Sequence, residues 1–369
     1  MVLALQRSLP SCWVKNLNNS NRYLIYNYPE PNDTYYHSAL FFHIKLSKKA
    51  VPLQRKKHYL KMILKNLYNG LLLIACTLFL AACSDVRINE HKDWKEVFDK
   101  YGIEEGAFEY YDNNKEIANY YNKELCSSRL SPASTFKIFA SLVALETSVA
   151  LDEQMIIKYD GQPKYYRKGR LLAPGEDTTD AFNLPDWNKD LTMAEAFKLS
   201  AVPYYQEIAR RIGATTMQQY LDTVQYGNAK IGPTIDDFWL NDTLKITPDE
   251  QVGFMKRLYH DELPFSPRSQ RIVKGMMLQE SEQDYKLYYK TGWGSDAATD
   301  MDIVWVVGFA ETIHRLKNPK TEKIEAVPHP YFFALCFKVK RGTPDIVQKR
   351  QAILQELLTK AGIHQYAVK

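Results

Sequence analysis

The chain has 369 residues, 45% of them hydrophobic and 25% charged, ordinary statistics for a globular protein able to bury a sizeable core. Its formal charge of +5 misleads: residues 1–82 hold 11 basic and 2 acidic side chains, leaving 37 basic against 41 acidic, a net of −4, for residues 83–369. A mildly acidic folding portion excludes the basic stripe that nucleic-acid binding requires, and Cys12, Cys76, Cys83, Cys126 and Cys336 offer neither a C-x-x-C pair nor zinc spacing.

Residues 1–61 are rich in Asn, Tyr, Lys and Arg, and their apolar residues keep no sustained period. From Met62 the chain reads MILKNLYNGLLLIACTLFLAAC: a lysine, an apolar run from Leu71 to Ala82, then small residues before Cys83. That is the order of a secretory signal. About 12 apolar residues fall short of the roughly 20 that a membrane-crossing helix needs. Leu80-Ala81-Ala82-Cys83 resembles a bacterial lipobox, in which the cysteine is lipidated and becomes the new N-terminus. The expected organisation is an upstream extension over 1–61, either an over-long reading frame or disordered, with Met62 as the natural start; the alternative is a genuine cytoplasmic extension. A lipoprotein signal over 62–82, a linker over 83–92 and one folded domain over 93–369 follow. The chain would cross a bacterial inner membrane to the periplasm and touch the membrane only through a lipid on Cys83.

After the linker the pattern is strand-like, with Gly106–Tyr111 and Glu116–Tyr121 forming a hairpin about Asp112-Asn113-Asn114. An apolar helix follows from Ser131 to about Glu146. Residues 147–280 form a helical region broken by Pro and Gly, its clearest helices at Ala194–Ile212 and Pro248–Tyr259. Beyond Asp284 the period returns to strands at Tyr285–Trp293, Ile303–Ala310 and Tyr331–Lys340, and a closing helix spans about Thr343–Ala361. Strands at both ends with helices between them predict an α+β fold in which both chain ends build one antiparallel sheet, with a cleft at its junction with the helical region.

Three short motifs carry chemistry. Ser131-Pro132-Ala133-Ser134-Thr135-Phe136-Lys137 opens the apolar helix, with Ser131 suited to cap it and Pro132 to its first turn. Residues three apart share a helical face, so Lys137 projects beside Ser134 and can take its hydroxyl proton, which a serine nucleophile requires. Lys198-Leu199-Ser200-Ala201-Val202 lies on the helix running into Tyr205. Lys290-Thr291-Gly292-Trp293 ends a strand, where a bare glycine admits a ligand close to the backbone while Lys290 and Thr291 offer a charge and a hydroxyl to a carboxylate. There is no G-x-S-x-G and no H-E-x-x-H in the chain.

Taken in order, S-x-x-K, S-x-V and K-T-G are the three elements of penicillin-recognising serine enzymes. Together with Tyr226-Gly227-Asn228 and Ile235-Asp236-Asp237-Phe238-Trp239-Leu240, they make the chain resemble the class D, oxacillinase-type β-lactamases from about Asp93 to Ile363. The resemblance implies a β-lactamase/transpeptidase-like fold and hydrolysis of β-lactam antibiotics through a Ser134 acyl-enzyme, giving antibiotic resistance. It implies no metal and no bound cofactor, only carbon dioxide or bicarbonate to carboxylate Lys137. An apolar pocket favours that chemistry by holding the amine neutral, and Val202, Phe136 and Leu240 are candidates to wall it. By the same resemblance, Trp239 holds the carbamate, Ser200 and Lys290 relay a proton to the lactam nitrogen, and the backbone N–H groups of Ser134 and Trp293 receive the oxyanion. Arg350 of Lys349-Arg350-Gln351-Ala352-Ile353 grips the substrate carboxylate beside Thr291 and Gly292.

The chain departs from that pattern after K-T-G, in Trp293-Gly294-Ser295-Asp296 and in Phe309, where a second tryptophan is common. Alternative readings are a penicillin-binding sensor or a cell-wall transpeptidase. Sensors of that kind need several membrane segments and a zinc-protease motif; Val202, Trp239 and the short chain speak against a transpeptidase. Of the five cysteines, only Cys126 and Cys336 fall in the expected folded domain.

Overall fold

The structure is a computed structural model and describes residues 61–62, 64–68, 87–167, 170–179, 181–296 and 299–364. The chain divides into two units, Met1–Ala82 and Cys83–Lys369. In the first, residues 61–62 and 64–68 are helical and exposed. The rest of the expected extension and signal, and Cys83, lie outside the described residues. Among the described residues no helix is long and apolar enough to cross a membrane.

The second unit is built on a seven-stranded sheet. Its strands are β1 (Arg87–Glu90), β2 (Glu105–Asp112), β3 (Ile117–Tyr121), β4 (Leu278–Ser281), β5 (Tyr285–Ser295), β6 (Met301–Lys317) and β7 (Ile324–Lys340), in the order β1-β3-β2-β7-β6-β5-β4. All neighbours are antiparallel except β1, which runs parallel to β3. Both chain ends thus meet in one sheet, as expected. Arg87–Glu90, expected in the linker, is instead an edge strand; its four side chains are all exposed, so it carries no apolar alternation by which a strand is read from sequence. The strands β6 and β7 also run well past the apolar runs Ile303–Ala310 and Tyr331–Lys340. They continue as a hairpin paired from Glu311–Pro330 to Lys317–Ile324, whose tip is exposed and charged.

Alternation along the strands makes two cores, one on each face. Val304, Val306, Leu335 and Phe337 face one way, packing with Val97 and Phe98 of α1 (Lys95–Lys100) and with Ile353, Leu354 and Leu357 of the C-terminal helix, Ile346–Lys360. Ile303, Trp305, Val307 and Ala334 face the other way, toward the helical region. There α2 (Lys123–Cys126) leads to α3 (Phe136–Glu146), in which ten consecutive residues from Phe136 to Leu145 are buried. A helix buried on every side is a core helix, and this one carries Lys137 in its first turn, just after Ser134. Around it stand α4 (Met193–Lys198), α5 (Val202–Ile212), α6 (Ala214–Val224), α7 (Pro248–Tyr259) and α8 (Pro267–Met277); the closing helix is α9. Two small two-stranded ladders, Ile156–Ile157 with Leu191–Thr192 and Tyr166–Arg167 with Arg170–Leu171, lie among the helices of the region expected to hold helical segments. Cys126 and Cys336 are buried and free.

Candidate active site

The turn of Ser134, the candidate nucleophile, differs from its expected form. A 3-10 turn, Ala133–Thr135, precedes α3, and Ser131 does not cap it: the Ser131 hydroxyl donates to the carbonyl of Trp239 at 3.0 Å. The indole N–H of Trp305, from the sheet, donates to the Ser131 carbonyl at 2.9 Å, and Thr135 N–H and Oγ1 both bond the Pro132 carbonyl. Ser131 therefore ties the loop carrying Trp239 to the nucleophile's turn. Ala133 is held at φ +47°, a left-handed conformation costly for a residue with a Cβ, and the surrounding bonds over-determine it.

Ser134 and Lys137 meet as the i,i+3 spacing requires, with Lys137 Nζ 2.7 Å from Ser134 Oγ. Lys137 is fully buried at the foot of the site, and burial alone pushes its pKa from 10.5 to about 7. The neutral fraction of the amine at pH 7 rises from about 0.03% to about half. The Tyr205 ring lies 5.4 Å from Nζ, its own hydroxyl engaged with Ser141 Oγ at 2.7 Å. Phe136 stacks on Trp239 at 5.0 Å. Trp239 is fully buried and its indole N–H has no hydrogen-bond acceptor. A buried unpaired donor costs about 1–3 kcal/mol, so the indole N–H is a ready partner for an added oxygen acceptor.

Ser200 meets Lys290 at a break between two helices. The helix expected from Ala194 to Ile212 is two helices, and Leu199-Ser200-Ala201 is the junction, with Ser200 at φ +58°. Pro203, in the first turn of α5, cannot continue an upstream helix because it lacks an N–H. Trp187 Nε1 pins the junction by donating to the Leu199 carbonyl at 3.1 Å. The turn presents Ser200 Oγ to Lys290 Nζ at 2.9 Å, and Lys290 also donates to the Thr291 carbonyl at 3.0 Å. Lys290 is buried, and burial first, then the charges of Lys137 and Arg350, holds its pKa well below the ordinary lysine value.

Gly292 serves the protein's own packing. A Cβ there would meet the Pro132 carbonyl at 3.0 Å and Thr135 Cγ2 at 3.2 Å, and one at Gly294 would meet Ala133 Cβ at 3.0 Å. The glycines let β5 lie directly against the turn bearing Ser134. Tyr226-Gly227-Asn228 is likewise a buckle: a Cβ on Gly227 would collide with the Lys245 carbonyl, while Asn228 donates to the Thr243 carbonyl and accepts from Lys245 N–H. It fixes the loop that carries Trp239 and Leu240.

Val202, Leu240 and Trp293 border a cavity of about 580 Å³ with Tyr166, Arg167, Phe182, Gly294 and Asp302. Thr291, Lys290 and Arg350 border a separate hollow of about 200 Å³ with Gln351. Arg350 is largely buried, and burial lowers its pKa to about 10. Sequence reasoning missed Gln251, whose Nε2 donates to Thr135 Oγ1 at 2.9 Å behind the nucleophile's turn, and Asp302, which bonds the Trp293 indole at 3.0 Å. Neither stands in a motif; both act across the fold. Among the described residues no group of three His, Cys, Asp or Glu side chains is placed to hold a metal ion.

The penicillin-binding-protein transpeptidase domain matches residues 106–317. The chain is 34% identical over 274 residues to β-lactamase OXA-48 of Klebsiella pneumoniae, covering 74% of this chain and 89% of that one. The crystal structure of the class D β-lactamase YbXI from Nostoc superposes with a TM-score of 0.61 at 33% identity, over 74% of this chain and all of that one. The C-terminal domain of the Bacillus licheniformis penicillin receptor BlaR superposes at 0.62 with 25% identity, over 76% and 98%.

Proposed function

The chain belongs to the class D β-lactamases, a branch of the penicillin-binding transpeptidase family, and on that premise we propose that it hydrolyses β-lactam antibiotics, giving resistance, with Ser134 as nucleophile and Lys137 as base. The observation that carries this reading is the fully buried Lys137 amine, 2.7 Å from the serine hydroxyl and held near a pKa of 7 by burial. An uncharged amine can accept the Ser134 proton as Oγ attacks the lactam carbonyl. The C–N bond of the ring then breaks, and Ser200, bonded to Lys290, returns a proton to the lactam nitrogen. Arg350, its pKa still about 10, is a cation that attracts the substrate carboxylate to the hollow it shares with Lys290 and Thr291.

A neutral buried amine is also the form that attacks carbon dioxide, and the unpaired Trp239 indole N–H fits an oxygen of the resulting carbamate. As a base, such a carbamate would serve both acylation and the hydrolysis that follows. The oxyanion is assigned to the backbone N–H groups of Ser134 and Trp293, which the approach of β5 to the nucleophile's turn supports. We also carry forward, from sequence, lipidation of Cys83 and a periplasmic location. A radiolabelled fatty acid carried by the wild type and absent from Cys83→Ala checks it.

Protein beginning after Cys83 is mixed with a chromogenic cephalosporin and a penicillin. Turnover of either, increased by bicarbonate, is the expected result. Stoichiometric acylation without release would replace the hydrolase reading with the sensor reading that the BlaR likeness makes concrete.

A further inference from the structure

The outer end of the 580 Å³ cavity is organised around one carboxylate that no motif contains. Asp302, on β6 opposite Ser295 of β5, is only 7% exposed. Its Oδ2 accepts the indole N–H of Trp293 at 3.0 Å, and its Oδ1 accepts from Ser295 Oγ at 3.2 Å and Arg341 Nε at 3.4 Å. Arg341 is anchored in turn by Asp300, 2.8 Å from its Nη1. Trp293, Ser295, Asp302 and Arg341 all border the cavity.

Trp293 needs such an anchor. It is 43% exposed, and its chain neighbours Gly292 and Gly294 have no side chains to confine it. An exposed tryptophan without a fixed partner samples several rotamers, and a ligand that packs on it must then hold it still. The Asp302 bond does that beforehand. Facing the same cavity are the rings and branched aliphatics of Tyr166, Phe182, Val202 and Leu240, with Arg167, Asp177 and Thr179 as its polar part. Flat aromatic groups gain from packing on fixed rings beyond their loss of apolar surface, whereas small aliphatic groups gain little.

We propose that Asp302 is a positioning residue that fixes the Trp293 indole as a wall of the cavity and so sets a preference for β-lactams with a flat aromatic acyl side chain over those with a small aliphatic one. The proposal rests on the β-lactamase reading given above. Asp302 touches neither nucleophile nor base, and it acts through Trp293.

The test compares kcat/KM for a phenylacetyl penicillin with that for its acetyl counterpart, in wild type, Asp302→Ala and Asp302→Asn. The aromatic-to-acetyl ratio is expected to fall about two- to tenfold in Asp302→Ala, the range set by immobilising one large side chain on binding. It returns toward wild type in Asp302→Asn, whose amide oxygen still accepts the indole N–H. In a Trp293→Phe background, which lacks that N–H, Asp302→Ala is expected to leave the ratio where Trp293→Phe alone put it. Trp293→Phe also reads the bond from its other end should Asp302→Ala fail to fold. An unchanged ratio in Asp302→Ala, or a ratio in Asp302→Asn as low as in Asp302→Ala, overturns the proposal. Failure of the wild type to turn over either penicillin overturns the β-lactamase reading instead, so the two failures are distinct.

Discussion

Replacing Trp239 by Phe removes an indole N–H and keeps an aromatic ring against Phe136, with which Trp239 stacks at 5.0 Å. In the structure that N–H is buried and unpaired. Once it donates to an anionic carbamate on Lys137, the bond gains the roughly 1.5–3 kcal/mol of a charge-assisted interaction. Without it, carboxylation should weaken by the same amount, a factor of about 10–150 in the bicarbonate concentration needed for half-maximal rate. The assay is a bicarbonate titration of initial rates for both proteins, with unfolding temperatures measured at zero and saturating bicarbonate. Bicarbonate should raise the unfolding temperature of the wild type more than that of Trp239→Phe, a comparison that cancels the volume lost with the indole. Superimposable bicarbonate curves would refute the role given to the indole.

Glu109 provides a test of the scaffold away from the site. It is 1% exposed, one carboxylate oxygen has no partner, and burial, then the charge of Asp249, pushes its pKa from 4.5 to about 9. Because its folded pKa is raised, folding binds a proton, and stability should fall as pH rises from about 5 toward 9, by at most about 1.4 kcal/mol per pH unit. Glu109→Gln should flatten that slope in urea unfolding series; an unchanged slope would mean that the carboxyl ionises in the folded state. Arg350→Ala should raise KM about tenfold or more with a smaller change in kcat, because a buried cation in the hollow shared with Lys290 and Thr291 acts on substrate binding. A loss confined to kcat would remove Arg350 from carboxylate recognition.

The legibility of the site followed the distance along the chain over which each contact forms. Ser134 and Lys137 are one helical turn apart, so their meeting follows from spacing alone. The meeting of Ser200 with Lys290, 90 residues on, was anticipated only because the motif order resembles a known family. What the family pattern did not supply was how Ser200 is presented: the run through residues 194–212 reads as one amphipathic helix, and the left-handed Ser200 that breaks it is held by Trp187, remote in that pattern. Ser131 reads locally as a cap, yet its hydroxyl goes to Trp239, 108 residues away, because tertiary bonding outcompetes the local one. The packing role of Gly292 is hidden for the same reason, since a Cβ there would meet the carbonyl of Pro132, 160 residues earlier in the chain. The strand Arg87–Glu90 is exposed on every side chain and leaves no periodic trace.

The central claim is that one buried lysine, Lys137 carboxylated on its side-chain nitrogen, serves both to form and to break the acyl-enzyme. Mass spectrometry of Lys137→Met after prolonged incubation with excess benzylpenicillin measures it directly. The account predicts a folded protein that gains the mass of one penicillin on Ser134 slowly and keeps it after the free antibiotic is removed, with or without bicarbonate. A Lys137→Met protein that turns the antibiotic over at the wild-type rate and carries no adduct would contradict it.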